Sequence, residues 1–263
     1  MNIVVLIKQV PNTTEVRLDP KTGNLIREGI DTIINPDDLV ALEAAITLKE
    51  KLGAEITVLT MGPPQAIDAL SEAMGMGADK AVLLSDRAFA GADTWATSFT
   101  LGKAVQRLGD FDLVLAGRQA IDGDTAQVGP QVADFLGLYQ VTYVFDIEDV
   151  TADYVTVKRR LEDGYERIQC RLPALLTVIP GAGKPRYPLM SNLLLACCER
   201  APIQIWNAAD IGVTTADVGL EGSLTQVMKT FAPKFERRSE FLEGGTVEAV
   251  VNLVERFKIN KLI

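Results

Sequence analysis

Short runs of β-branched and aliphatic residues alternate with amphipathic stretches from the start of the chain to about residue 180, and few folds accept that rhythm. Ile3–Ile7, Glu55–Thr60, Lys80–Leu84, Leu113–Ala116 and Ala174–Val178 read as buried strands. Helices are expected from Asn35-Pro36-Asp37-Asp38 to about Leu52, and over Pro63–Met74, Asp93–Leu108 and Thr125–Leu136. Asn35 is a good N-cap, Pro36 suits the first helical position, and Asp37 and Asp38 favour the positive helix end. Gly75, Gly77, Gly109 and Gly137 stop the helices. Strands separated by helices of about 10–15 residues form βαβ units and a parallel sheet. The expectation is a Rossmann-like, doubly wound α/β domain. Ligands on such sheets sit at the carboxyl ends of the strands, where the strand order reverses. The loops after Ile7, Thr60, Leu84 and Ala116 are therefore the places to search.

The rhythm changes near residue 150. Tyr154–Arg160 and Tyr165–Leu172 flank Glu162-Asp163-Gly164 and read as an inserted β-hairpin. A Gly/Pro-rich loop, IPGAGKPRYP, precedes a short helix near Asn192–Arg200. Residues 203–245 mix polar and glycine-containing stretches with isolated apolar residues. Val247, Val250, Val251 and Val254 then fall at helical spacing within Thr246–Phe257. This divides the chain into an α/β domain over 1–202 and an extended C-terminal arm over 203–263. An arm with too few apolar residues for its own core is expected to lie on a partner.

Composition narrows the chemistry. Histidine is absent, which excludes Ser-His-Asp and Cys-His catalysis and removes the commonest metal ligand; no metal is expected. The net charge is −9, with Lys and Arg scattered, so neither a nucleic-acid footprint nor an anionic membrane surface is expected. No segment approaches roughly 18 uninterrupted apolar residues, and Ile3–Ile7 is too short for a signal-peptide core. Cys170, Cys197 and Cys198 are no disulfide framework; they fit idle thiols in a reducing, cytoplasmic compartment.

Two loops can carry ligand chemistry. The first is Gly117–Gly129, GRQAIDGDTAQVG, between a strand and a helix. Gly117, Gly123 and Gly129 permit close backbone approach and positive φ, and Thr125 can cap the next helix and donate to a phosphate. Asp122 and Asp124 repel phosphates unless they accept hydrogen bonds from ribose, base or backbone; a capped Asp-Gly turn is the plain alternative. The second is Gly91–Ser98, where Asp93 or Thr94 would cap a helix whose first turn carries Thr94, Thr97 and Ser98. Such a turn suits a pyrophosphate, although ordinary capping explains it too. Two anion sites on neighbouring strand ends favour a dinucleotide over a mononucleotide. Met61 can pack against a ring or in the core, and Lys8 can meet an anion or only solvent. Neither GxGxxG near the first strand nor GxxxxGK[ST] is present.

The segment Val157–Thr177, VKRRLEDGYERIQCRLPALLT, resembles the signature of the electron-transfer flavoprotein β subunit through Val157, Arg159, Glu162-Asp163-Gly164, Glu166, Ile168, Pro173 and Leu175-Leu176. VLIKQV near the start, NPDD at 35–38, MGPPQA at 61–66, MGMGADKA at 74–81 and GRQAIDGDTAQVG resemble the same family. The resemblance implies a heterodimer with an α subunit that carries FAD, and an adenine nucleotide in this chain. That nucleotide is AMP in the ordinary type and a second FAD in the electron-bifurcating type. It implies contacts from Leu6, Asn35–Asp38 (Asn35 and Asp38 above all), Met61 and Arg118–Gly129, among them Gln119, Gln127 and Val128. The hydroxyl-rich turn ADTWATS resembles the bifurcating type, with Ala92 and Asp93 at its start and Thr94 and Thr97 as phosphate ligands.

FAD, NADH as hydride donor, an acyl-CoA dehydrogenase-type flavoenzyme and a low-potential acceptor such as ferredoxin or flavodoxin are then expected. The chain would act as an electron carrier that oxidises NADH within the αβ complex. An AMP-holding β subunit is the alternative. A stress-protein-like ATP-binding module is a further one, although it would call for a glycine-rich phosphate loop and a much shorter chain. GKPRYPLMSN resembles the family's partner-recognition loop, with Met190 where Leu is usual and Leu189 beside it. Thr13 stands where some members carry a Tyr, so no stacking role is carried over there.

Overall fold

The computed structural model describes residues 1–12, 31–198, 201–228, 239 and 241–263; Thr13 and Arg200 lie outside them. The chain forms two compact units, Met1–Val227 and Met228–Ile263.

The first unit is built on a nine-stranded sheet. Its strands are β1 (Asn2–Leu6), β4 (Glu55–Met61), β5 (Lys80–Leu84), β6 (Leu113–Gly117), β7 (Tyr139–Val150), β8 (Tyr154–Arg160), β9 (Tyr165–Arg171), β10 (Ala174–Val178) and β11 (Ile203–Trp206). The order is β11-β5-β4-β1-β6-β10-β7-β8-β9. Every pairing from β11 to β7 is parallel, and the β7-β8-β9 pairings are antiparallel. A small ladder of β2 (Gln9–Pro11) and β3 (Thr32–Ile34) stands apart.

Helices cover both faces of the sheet. Residues of α1 (Pro36–Leu52) and α2 (Ile67–Met76) share a core with Ile3, Val5, Ile56, Val58 and Leu115. Residues of α3 (Thr94–Leu108) and α4 (Val128–Leu136) share another with Val4, Leu6, Leu59, Val82 and Val114. Successive strand residues point to opposite faces, so strands buried on both sides need unbroken apolar runs. β1 lies between β4, reached through α1, and β6, reached after β5 and α3. That is the strand-order reversal, and on sheets of this kind the ligand crevice lies there, outside the carboxyl ends of β1 and β6. The α/β, doubly wound expectation holds, and the hairpin Tyr154–Arg171 extends the sheet as an antiparallel flap.

Several boundaries differ from expectation. The compact unit runs past residue 202 because β11 adds to β5 at the sheet edge. Ile211, Val213 and Val218 are also buried against the α3 and α4 face. α2 continues through Gly75 to Met76, since Gly75 leaves room for Leu193 of α5 (Met190–Ala196). α4 starts at Val128 rather than Thr125, because Ala126 sits at φ 53° and cannot continue a right-handed helix. The second unit contains α6 (Thr246–Ile259), on which Val247, Val250, Val251 and Val254 are exposed. Among the described residues, no helix is long and apolar enough to cross a membrane.

Candidate functional site

Three chain segments meet at the crevice: the end of β1, the start of α1 and the loop after β6. Asn35 precedes α1, but its side chain does not cap the helix. It is fully buried; Nδ2 donates to the Gln119 carbonyl at 2.8 Å and Oδ1 accepts from the Ile121 amide at 3.0 Å. Only a carboxamide offers a donor and an acceptor together in this way, which explains Asn at the position better than capping does.

Asp38 is also buried. Its Oδ2 accepts from the Lys8 amide at 2.8 Å and its Oδ1 from the Gly117 amide at 3.1 Å, joining all three segments. Burial pushes its carboxyl up to about 7, against hydrogen bonds from Asn35, Lys8 and Gly117 that favour the anion. Gly117 has no room for a Cβ, which would collide with Asp38 Oδ1 and lie 2.7 Å from Asp37 C and Asp38 N. Gly129 is similarly tight, with Thr177 Cγ2 2.7 Å from a Cβ placed there. Gly123 is neither tight nor at positive φ, contrary to expectation: its Cβ would meet open space. The positive φ angles in this loop fall instead on Asp124 (52°) and Ala126 (53°).

The acidic residues of the loop are engaged within the chain. Asp122 takes Lys8 Nζ at 2.7 Å on both oxygens, and Asp124 accepts from Gln119 Nε2. Neither carboxylate is therefore bare toward a phosphate, and Lys8 is paired with Asp122. Thr125 is exposed and caps nothing, because α4 begins three residues later. Asp37 Oδ2 and Arg118 Nε lie 3.4 Å apart, buried and without hydrogen-bond partners. Burial raises the Asp37 carboxyl, although the Arg118 charge opposes this. Unsatisfied buried polar atoms in a crevice wall suit a polar ligand.

The second predicted turn is brought to the same place. Asp93 caps α3, its Oδ1 accepting from the Ala96 amide at 3.0 Å. Thr94 Oγ1 donates to Gln127 Oε1 at 3.0 Å, and Ser98 Oγ, which donates to the Thr94 carbonyl at 2.6 Å, lies 3.3 Å from the Val128 carbonyl. The starts of α3 and α4 thus stand side by side, and the first N–H groups of each helix have no partner within the helix. Thr97 is part-exposed in that turn, and Ala92 lies one residue before the cap. Leu6 is buried and Met61 is partly buried in the α3 and α4 core, at the ends of β1 and β4.

Sequence reasoning missed Ser223 and Thr225. Ser223 Oγ accepts from the Asp93 amide at 2.8 Å; the Thr225 amide and hydroxyl both donate to Asp93 Oδ2 at 2.9 Å. Burial alone would raise the Asp93 carboxyl, but the bonds from Ala96, Thr225 and Leu224 hold it below the usual carboxylate range. No local signal marks a contact across 130 residues.

Leu189 and Met190 stand elsewhere, held by α2 and α1. The Leu189 amide donates to the Gly75 carbonyl at 2.9 Å, and Arg186 is fixed to Glu43 and Glu50. Both residues are exposed, with Tyr187, Leu194 and Leu195.

A doubly wound, mostly parallel sheet, with the starts of α3 and α4 side by side, defines a Rossmann-like α/β protein. The chain belongs to the electron transfer flavoprotein family, as a β-subunit relative: the family model "Electron transfer flavoprotein domain" matches residues 22–211. It is 52% identical to the electron transfer flavoprotein subunit beta of Thermoanaerobacterium thermosaccharolyticum, over 263 residues and the full length of both chains. It is 51% identical to the caffeyl-CoA reductase-Etf complex subunit CarD of Acetobacterium woodii, over 265 residues and again both full lengths. It is 49% identical to the protein FixA of Azorhizobium caulinodans, over 262 residues that cover 95% of this chain and 92% of FixA. Family members take part in electron transport, pair the β subunit with an α subunit, and bind flavin or AMP.

Proposed function

We propose that this chain is the β subunit of an electron-bifurcating electron transfer flavoprotein and holds FAD rather than AMP. The observation that carries the reading is the bond from Thr94 to Gln127. It joins two helix starts at one crevice, enough anion-binding backbone for a pyrophosphate as well as an adenosine moiety. Asn35, Asp38, Leu6, Met61 and the loop from Gly117 to Gly129, with Arg118, Gln119, Asp122, Gly123, Asp124, Thr125, Gln127 and Val128, are assigned to the adenosine end. Ala92, Asp93, Thr94 and Thr97 are assigned to the pyrophosphate end. Asp37 Oδ2 and Arg118 Nε, which find no hydrogen-bond partner within the chain, lie at the adenosine end.

The chemistry a flavin supplies when held there is acceptance of hydride from NADH and delivery of single electrons, one toward the α-subunit FAD and an acyl-CoA dehydrogenase-type flavoenzyme, the other toward ferredoxin or flavodoxin. The name of CarD, which links it to a caffeyl-CoA reductase complex, supports an acyl-CoA-type partner. Leu189 and Met190 are assigned to partner recognition, the part of the arm beyond Val227 to packing on the α subunit, and the complex to the cytoplasm. Replacing Thr94 and Thr97 together by Ala is expected to lower flavin in the αβ heterodimer from two per complex to one, measured by absorbance after denaturation. Unchanged flavin content would remove both residues from the phosphate assignment.

A further inference from the structure

Beyond β11 the chain returns to the mouth of the crevice. Residues 220–225 form a strap across the start of α3. The Leu220 amide donates to the Ala90 carbonyl at 3.0 Å, Ser223 Oγ takes the Asp93 amide, and Thr225 gives two hydrogen bonds to Asp93 Oδ2. Ser223 Oγ also donates to the Gly219 carbonyl at 2.7 Å, so its hydroxyl is used in both directions. Gly219 lies at φ 60°, and a Cβ there would run into the Ala88 carbonyl, so the chain is pressed against the segment before α3. Asp93 therefore uses its two oxygens separately: Oδ1 caps α3 and Oδ2 fastens the strap.

We propose that the strap Leu220–Thr225 retains the nucleotide: through Asp93 it fixes the first turn of α3, and so the Thr94 and Thr97 hydroxyls, in the position that grips the pyrophosphate. Asp93 is a positioning residue here, and Ser223 and Thr225 are its fasteners. The inference rests on the FAD reading above. It also accounts for the course of the chain after β11, which passes over the cofactor turn before the first unit ends at Val227.

The two oxygens of Asp93 allow a clean test. In Asp93→Asn one oxygen still caps α3, because Asn is as good a cap as Asp. The other becomes an NH2 group that cannot accept from Thr225. Ser223→Ala with Thr225→Val loosens the strap from the opposite side and leaves Asp93 untouched. The experiment is the rate of FAD release from the αβ heterodimer, followed by the rise of flavin fluorescence after dilution. Losing a hydrogen bond to a charged acceptor is worth about a tenfold change or more. Both variants are expected to release FAD from this subunit about tenfold faster, and Thr225→Ser, which keeps both bonds to Asp93, to restore the wild-type rate. A FAD-loaded heterodimer with wild-type release in both variants overturns the strap alone. AMP in place of FAD in the wild-type complex overturns the cofactor reading, and this proposal with it.

Discussion

Gly117→Ala should unfold the heterodimer roughly 10 °C below the wild type and empty the nucleotide site of this subunit. The added Cβ has nowhere to go: its neighbours are Asp38 Oδ1 and the backbone at Asp37 and Asp38, and backbone at a helix start cannot swing aside as a flexible side chain does. Overpacking of this kind costs about 1–3 kcal/mol and sometimes more. The Gly117 amide also loses its bond to Asp38, a buried acceptor. Together these exceed about 3 kcal/mol, and each kcal/mol moves the melting temperature of a chain this size by roughly 2–4 °C. Gly123→Ala, six residues on in the same loop, is the control. Its Cβ meets open space, so the melt should stay within about 1 °C of wild type. Thermal unfolding of both variants checks this, and equal shifts would show that the loop tolerates a side chain at either glycine.

Asp38 should make the protein lose stability as the pH rises from about 4 to about 7. Its folded-state carboxyl is lifted from 3.8 to about 7 by burial. A raised carboxyl binds its proton more tightly in the folded state than in the unfolded one. Its contribution is fully present below the unfolded value, fades as the pH climbs from about 4, and is gone above about 7. At about 1.4 kcal/mol per unit, the shift corresponds to about 4 kcal/mol across that window. Asp38→Asn removes the titration and keeps the volume. Urea unfolding at a series of pH values should show the wild type losing stability relative to Asp38→Asn by an amount of that order between about pH 4 and pH 7.5. Parallel pH profiles would mean that the Lys8 and Gly117 amides hold Asp38 as an anion throughout.

The fold was legible where periodicity was strong. The buried runs Ile3–Ile7 and Leu113–Ala116 needed only apolar continuity, and α3 was marked by Asp93 at its start and Gly109 at its end. β7 was missed because Asp146, Glu148 and Asp149 interrupt its pattern; Lys158 on β8 and Arg167 on β9 neutralise Asp146 and Glu148 in the folded sheet. β11 was missed because an edge strand with an exposed Ile205 has no apolar run to announce it. In the site, the positions that matter were visible but their bonds were not. Asn35 looked like a cap because caps are local, whereas its partners Gln119 and Ile121 are more than eighty residues away. Thr125 looked like a cap for the same reason, and the positive φ at Ala126 displaced the helix start beyond it. The carboxylates of Asp122 and Asp124 looked repulsive until the fold supplied Lys8 and Gln119.

A dinucleotide is expected to span the carboxyl ends of β1 and β6 and the starts of α3 and α4. The direct test is the nucleotide content of the purified αβ heterodimer, released by denaturation and separated by chromatography. Two FAD per heterodimer and no AMP is the expected result; one FAD and one AMP would contradict it.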